Sequence, residues 1–288
     1  MKKIIDIAVL SDIHGNHIAV ERCMEEAVSR GIDTFIFLGD YLGELAYPQR
    51  TMELLYEYKE KYTCYFVKGN REDYWLDYKA SGEQGWKDGD STTGSMWYTY
   101  HNLTERDLEF FEGLPIADKV VIADMPEFTI CHGSPYSVNE KLLSDNARTR
   151  EIMEMSDTEL ILCGHTHRQE IIEHAGKRVL NGGAVGVPLG SEGLTQFLIL
   201  HGENGIWKDE LISLSYDIEG VIEELHEERM QEHAPSWCKV SEHLLYAGEP
   251  PHGSVLTRAM ELCEEAEGSC EWPNVPEKYW QKAVEEML

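Results

Sequence analysis

The chain has 288 residues, 42% of them hydrophobic, and a formal net charge of −28. That is enough chain for a large buried core, but the charge is too negative to hold nucleic acid by its phosphates or to rest on an anionic membrane, since both need Lys and Arg. A spanning helix is excluded because no apolar run reaches about 18 residues. The seven cysteines are odd in number and form no CxxC pair. They read as reduced small hydrophobes of a reducing compartment, not as a structural zinc site.

Ile4 to Leu10 is a short β-branched apolar run ending at Ser11-Asp12, which predicts a buried strand. The opening Met1-Lys2-Lys3-Ile4-Ile5-Asp6 has the look of a signal peptide. However, Asp6 and Asp12 interrupt its apolar run and no small-residue cleavage site follows, so a mature cytoplasmic protein is expected. Ile18, Cys23, Ala27 and Val28 lie at helical spacing before Gly31, predicting a helix over about 17–30. Thr34 to Leu38 predicts a second strand, 49–60 a helix and Tyr62 to Val67 a third strand. Strands and helices in alternation imply parallel strands with helices packed on them.

Beyond Asp73 the pattern breaks. Residues 78–104, rich in Gly, Ser, Thr and aromatics, predict an inserted loop or small cap, helical in part. Short strands follow at Lys119–Ala123, Phe128–Cys131, Leu160–Cys163, Gln169–His174, Arg178–Leu180, Gln196–Leu200 and Ile206–Leu214, with a helix over about 139–155. Ala175-Gly176 and Asn204-Gly205 mark hairpins, so these strands are expected to form a second, mixed sheet. Helices over about 217–232, 254–267 and 276–287 close the chain. From Asp217 onward 17 acidic residues face 5 basic ones, which reads as solvated helix faces more than as an interaction surface. The expected layout is one α/β domain over 1–215, with the insert at about 78–104, and a helical extension over 216–288 packed on it.

Five polar clusters fall at or just past predicted strand ends: Asp12-Ile13-His14, Gly39-Asp40, Gly69-Asn70-Arg71-Glu72-Asp73, Cys131-His132-Gly133 and Gly164-His165-Thr166-His167. In α/β sheets ligands bind at the carboxyl ends of strands, so all five can converge on one crevice. Two carboxylates, one carboxamide and four imidazoles make a mixed O/N donor set that suits manganese, iron or zinc better than magnesium or calcium.

The order D-x-H, G-D, G-N-x-[ED], H-G and G-H-x-H resembles that of the calcineurin-like metallophosphoesterases, over about residues 4–190, and specifically a small bacterial or archaeal phosphodiesterase-like branch. The resemblance implies a two-sheet β-sandwich flanked by helices, a four-layer α-β-β-α fold. It also implies two divalent transition-metal ions, manganese first, with iron, zinc or nickel as alternatives. Asp12, His14 and His167 would hold one ion, Asn70, His132 and His165 the other, and Asp40 would bridge them. Asn70, Arg71 and His132 are the implied catalytic positions. Two dications with two carboxylates leave the site near about +2, suited to a phosphoryl group, and a hydroxide shared by the ions would be the nucleophile. The implied activity is hydrolysis of a phosphodiester or phosphoanhydride, with a small nucleotide as the expected substrate. A protein serine/threonine phosphatase and a non-catalytic metal-binding scaffold are the rival readings, and the charge counts against a nuclease.

Many members carry His after Gly-Asn, where this chain has Arg71. Arg stays protonated and cannot serve as a general acid, which leaves a phosphate clamp or a salt bridge to Glu72 or Asp73. Asn181-Gly182-Gly183-Ala184-Val185-Gly186-Val187-Pro188 is similar to an N-P-G-S-x-G-x-P stretch of small members, and predicts a tight turn bringing backbone close to the metals. His17 reads as a capping or surface residue and Asn16 as a candidate substrate contact. His101, His174, His201, His226, His233, His243 and His252 read as solvated. Trp75, Tyr78, Trp86, Trp97 and Tyr98 read as a cap's own core, with stacking on a nucleobase as the alternative. Trp237, His252, Trp272 and Trp280 are expected to pack the extension on the body, with a homo-oligomer contact as the alternative.

Overall fold

A computed structural model describes residues 5–288, so the reading of Met1 to Ile4 lies outside the described residues. In chain order the first half runs β1 (Ile5–Leu10), α1 (His17–Ser29), β2 (Thr34–Phe37), α2 (Pro48–Lys61), β3 (Thr63–Phe66), α3 (Asn70–Ala80), α4 (Gly94–His101), α5 (Glu105–Glu112), β4 (Ala117–Val120) and β5 (Phe128–Cys131). The rest is α6 (Ala147–Met155), β6 (Leu160–Cys163), β7 (Gln169–His174), β8 (Lys177–Gly182), β9 (Thr195–Glu203), β10 (Ile206–Leu214), α7 (Ile218–Glu227), α8 (Met230–His233), α9 (Pro235–Ala247), α10 (His252–Glu267) and α11 (Glu277–Met287).

Two five-stranded mixed sheets result, in the orders β10-β9-β1-β2-β3 and β4-β5-β6-β8-β7. Helical crossovers make β1, β2 and β3 parallel, with Ala8 opposite Phe35 and Phe35 opposite Cys64. Side chains alternate across each strand. Ile7, Val9, Ile36 and Leu38 therefore face Phe128, Ile130, Leu162 and Leu180 between the sheets. Ala8, Leu10, Phe35 and Phe37 face the helices, against Val20, Cys23, Met52 and Leu55. On the far side Cys131, Ile161, Cys163 and Val179 meet Ile152 and Met153 of α6. The order is helix, sheet, sheet, helix, as expected.

Several expectations need correction. The β9–β10 hairpin joins the first sheet, not the second: Ile7 pairs with Leu200 and Val9 with Leu198. Strand β9 is buried along almost its whole length, and the free edge of β1 gives it a central place. The pattern does not break after Asp73, because α3 starts at Asn70, with Glu72 accepting the Gly69 backbone N–H at 2.8 Å. The helix expected from 139 begins at Ala147, where Asn146 accepts the Arg148 N–H at 2.9 Å. Thr104 and Asp107 cap each other across the start of α5, a signal present in the sequence.

The C-terminal helices have their own core of Trp237, Val240, Val255, Ala259, Tyr279 and Trp280. They meet the body through Val221, Leu225 and Leu245 against Leu45, Ala46 and Val187. Trp280 is fully buried and donates its indole N–H to Thr92 Oγ1 at 2.9 Å. Trp272, by contrast, is 53% exposed and packs little. Trp280→Ala is expected to destabilise the chain by about 3–5 kcal/mol through the cavity it leaves, read as a lower urea midpoint with an unchanged slope.

The histidines expected to be merely solvated mostly have carboxylate partners, as an acidic chain readily supplies. His201 lies 2.8 Å from Asp6 and 2.9 Å from Glu210, His174 2.7 Å from Glu154, His226 2.9 Å from Glu242 and His233 2.6 Å from Asp88. His252 is buried. All seven cysteines are free. Among the described residues no helix is long and apolar enough to cross a membrane.

Candidate metal centre

Strands β1, β2, β3, β5 and β6 deliver Asp12 and His14, Asp40, Asn70, His132, and His165 and His167 respectively, each just past the strand's carboxyl end. The backbone is forced there. Asp12 (φ 54°), His14 (52°), Asp40 (52°), His165 (66°) and His167 (59°) all adopt the left-handed region that non-glycine residues avoid. Each such residue costs on the order of 1–3 kcal/mol and persists only when its surroundings hold it. Here the Asp12 N–H donates to Gly39 O at 3.1 Å, the His14 N–H to Asp40 O at 3.0 Å and the His165 N–H to Asp12 Oδ2 at 3.0 Å. The Asn181 to Pro188 turn comes up behind, with Val185 N–H on Ser11 O and Gly186 N–H on Asp12 O, both at 2.9 Å. A Cβ at Gly186 would stand 1.8 Å from Ile13 O.

The imidazoles are oriented from behind. His132 Nδ1 lies 2.8 Å from Leu38 O and His167 Nδ1 2.8 Å from Val187 O. A carbonyl only accepts, so Nδ1 carries the proton and Nε2 turns its lone pair inward. His14 Nδ1 lies 2.5 Å from Glu44 Oε2, with the same result. Inside, His14 Nε2 and His167 Nε2 are 3.2 Å apart, both turned away from their Nδ1 partners into the same space. His167 Nε2 is 3.3 Å from Asp12 Oδ1, and His14 Nε2 is 3.6 Å from Asp40 Oδ2. His132 Nε2 is 3.1 Å from Asn70 Oδ1 and 3.5 Å from Asp40 Oδ1. Donor atoms therefore gather in two groups, Asp12-His14-His167 and Asp12-Asp40-His132, each within 4.8 Å. Asn70 adjoins the second through His132. The His165 ring lies against that of His132 at 5.0 Å but belongs to neither group.

Electrostatics follow from burial and mutual proximity. Burial alone would raise the Asp12 carboxyl, yet His167, His132 and His14 hold it well below the usual range. Burial would lower His132 and His167, and the carboxylates of Asp40 and Asp12 reverse this, leaving both above the ordinary imidazole range. His165, with burial and His132 acting together, is pushed down to about 4. Such an array of buried acceptors is one that a cation would satisfy.

Arg71 pairs with Glu44, not with Glu72 or Asp73. Asp73 is taken by Lys68 at 2.6 Å. Glu72 accepts the N–H groups of Gly69, Asp40 and Tyr41 at 2.8, 2.9 and 3.0 Å, and burial with Asp40 nearby pushes it up to about 7. Glu44 is buried and ionised: burial would raise its carboxyl, but Arg71 and His14 hold it well below the usual range. Nothing local in the sequence singles it out. Asn16 is no substrate contact, because its side chain caps α1 at Ala19 N–H and donates to Gly186 O, both at 3.0 Å. His17 is a hydrogen-bond partner of Glu224 at 2.9 Å rather than a cap.

A cavity of about 1190 Å³ opens over these residues. Its floor includes His14, Asp40, Asn70, Arg71, His165 and His167. One wall is Tyr74, Tyr78 and Trp86, and another is Trp237 of α9, His252 of α10 and Trp272 of the turn between α10 and α11. Tyr78 stacks on Trp86 at 3.9 Å, and both join Trp75 in the main core on the helix side of the first sheet, while Tyr98 packs with Leu45, Val187 and Leu244, so the expected separate core of the insert does not form. Trp97 stacks on His101 instead.

A sequence model of the calcineurin-like phosphoesterase superfamily domain matches residues 5–205. An uncharacterized protein of Methanocaldococcus jannaschii is 27% identical over 243 residues, 78% of this chain and 94% of its own. Among solved structures, a hypothetical protein from Pyrococcus horikoshii OT3 has a TM-score of 0.70 at 20% identity, covering 86% of this chain and 100% of its own. A metallophosphoesterase from Sphaerobacter thermophilus has a TM-score of 0.65 at 21% identity, covering 85% and 99%. Both likenesses extend beyond the span the family model matches, so the shared fold takes in part of the C-terminal helices.

Proposed function

Because the chain belongs to the calcineurin-like phosphoesterase superfamily, we propose that it is a cytoplasmic, binuclear metal-dependent enzyme hydrolysing a phosphodiester or phosphoanhydride of a small nucleotide. The observation that carries this is the convergence of two imidazole Nε2 atoms, 3.2 Å apart, with two buried carboxylates, a donor set that suits a divalent cation. We assign Asp12, His14 and His167 to one divalent ion, Asn70, His132 and His165 to the other, and Asp40 between them, with Asp12 close enough to serve both. Manganese is the first choice, with iron, zinc or nickel as alternatives. When bound, such ions lower the pKa of water and neutralise phosphoryl charge.

The chain's own groups do the rest. Arg71 faces the cavity and gives the phosphoryl oxygens a permanent cation. As it cannot release a proton, the leaving group must depart with little protonation, as a nucleotide phosphate or activated ester does. Tyr74, Trp86 and Trp272 offer the organic part apolar ring surface suited to a nucleobase. With walls from the insert over 78–104 and the extension over 216–288, the cavity suits a small molecule. A phosphoprotein would need an open groove. The free cysteines favour the reducing cytoplasm.

Purified protein with added Mn²⁺ is expected to cleave bis-p-nitrophenyl phosphate in preference to p-nitrophenyl phosphate, with activity lost to chelator. Inert protein, with metal verified as bound, would overturn the reading in favour of a scaffold. The pH profile has a definite sign. His132 and His167, raised above the ordinary range, keep their protons toward neutral pH in the metal-free protein. Metal must displace those protons, so activity at limiting Mn²⁺ is expected to fall already as pH is lowered from neutral toward the ordinary imidazole range and to recover in part when Mn²⁺ is raised. A loss insensitive to Mn²⁺ would contradict this.

A further inference from the structure

The Nδ1 atoms of His132 and His167 rest on backbone carbonyls, whereas that of His14 rests on a carboxylate, Glu44 Oε2 at 2.5 Å. The other oxygen of the same carboxylate, Oε1, receives Arg71 Nη2. Only 2% of the Glu44 side chain and 14% of the Arg71 side chain are exposed. The backbone is shaped to allow this contact: a Cβ on Gly43 would stand 2.5 Å from His14 Nδ1. Arg71 is fixed from a second side by its own N–H, which donates to Asp40 Oδ1 at 2.8 Å. Its Nε is buried without an acceptor, while the residue as a whole lines the cavity floor.

We propose that Glu44 is a positioning residue that holds the metal ligand His14 with one oxygen and the substrate-facing Arg71 with the other. This rests on the metallophosphoesterase reading above. A carboxylate on the far nitrogen of a ligand imidazole fixes its tautomer and raises its basicity, and removing such a partner typically weakens metal binding about 10–100-fold. A guanidinium that already spends one donor on Glu44 is held in one orientation, with the remaining donors left for a phosphoryl oxygen. The metal-binding and phosphate-binding halves of the site thus share a single buried anion.

The test is Mn²⁺ affinity of the full chain, by competition with a chelating indicator, for the wild type, Glu44→Gln, Arg71→Ala and the double variant. Glu44→Gln is expected to bind Mn²⁺ about 10–100-fold more weakly. Arg71→Ala should stay within about threefold of wild type, because it leaves His14 and Glu44 in place. The double variant should remain as weak as Glu44→Gln. Unchanged affinity in Glu44→Gln would overturn the proposal. So would wild-type affinity in the double variant, since Glu44 would then be only the counter-ion of Arg71. Should Glu44→Gln fail to fold, the double variant, which strands no buried charge, carries the test, with far-UV circular dichroism confirming its fold. Wild-type protein that binds no Mn²⁺ would overturn both this and the function proposed above, whereas binding by the wild type with an unaffected Glu44→Gln overturns this alone.

Discussion

Asp40→Asn is expected to lower turnover of bis-p-nitrophenyl phosphate by about 10³-fold or more, equivalent to roughly 4 kcal/mol of transition-state stabilisation, and to reduce bound metal below that of the wild type. In the proposed centre, two dications would repel strongly and need shared negative charge between them. Asp40 would supply it, with Oδ1 3.5 Å from His132 Nε2 and Oδ2 3.6 Å from His14 Nε2. The amide has the same shape and can still accept the Arg71 N–H that Asp40 Oδ1 holds at 2.8 Å, so the fold should survive and the charge alone be lost. Metal content by mass spectrometry, set beside kcat, is the check. A variant with two ions and undiminished turnover would remove Asp40 from the centre.

Gly186→Ala should disable the site by a different route. The added Cβ would meet Ile13 O at 1.8 Å, Ile13 C at 2.5 Å and Asp12 O at 3.2 Å. All three are backbone atoms of the segment carrying Asp12 and His14, so no side chain can swing aside. That segment is already in the left-handed region at both residues and has little freedom left to yield. A loss of about 3 kcal/mol or more is expected, at the upper end of overpacking costs, together with weakened Mn²⁺ binding. Gly253→Ala is the control. Nothing lies within 4 Å of its Cβ, and in a helix the change should be neutral or stabilising by up to about 1 kcal/mol. Equal stability of the two variants would refute the packing argument.

Much of this protein was legible in its sequence. The strands β5, β6, β7 and β10 were expected over the ranges observed, because short apolar runs between turn signals leave few alternatives. The polar clusters could be read as one site for a physical reason: each follows directly on a strand, and parallel strands present their carboxyl ends on one side of a sheet. Local sequence chemistry accounts for both.

What the sequence by itself determined was therefore the set of strands and the polar clusters at their ends, and, through the resemblance those clusters carry, the four-layer class and the candidate ligands. Tertiary structure alone decided three further matters. The hairpin signal at Asn204-Gly205 joins β9 to β10 but says nothing about which sheet they enter. That choice went to the edge of β1, where β9 could be buried on both faces. His252, which has no ligand spacing and was expected at most to pack the extension on the body, is buried in the cavity wall because α10 packs across the site. Glu44 meets His14 across 30 positions and Arg71 across 27. A contact between residues so far apart leaves no periodicity or local motif, since it arises only when separate strand ends are brought to one point by the packing of the sheets.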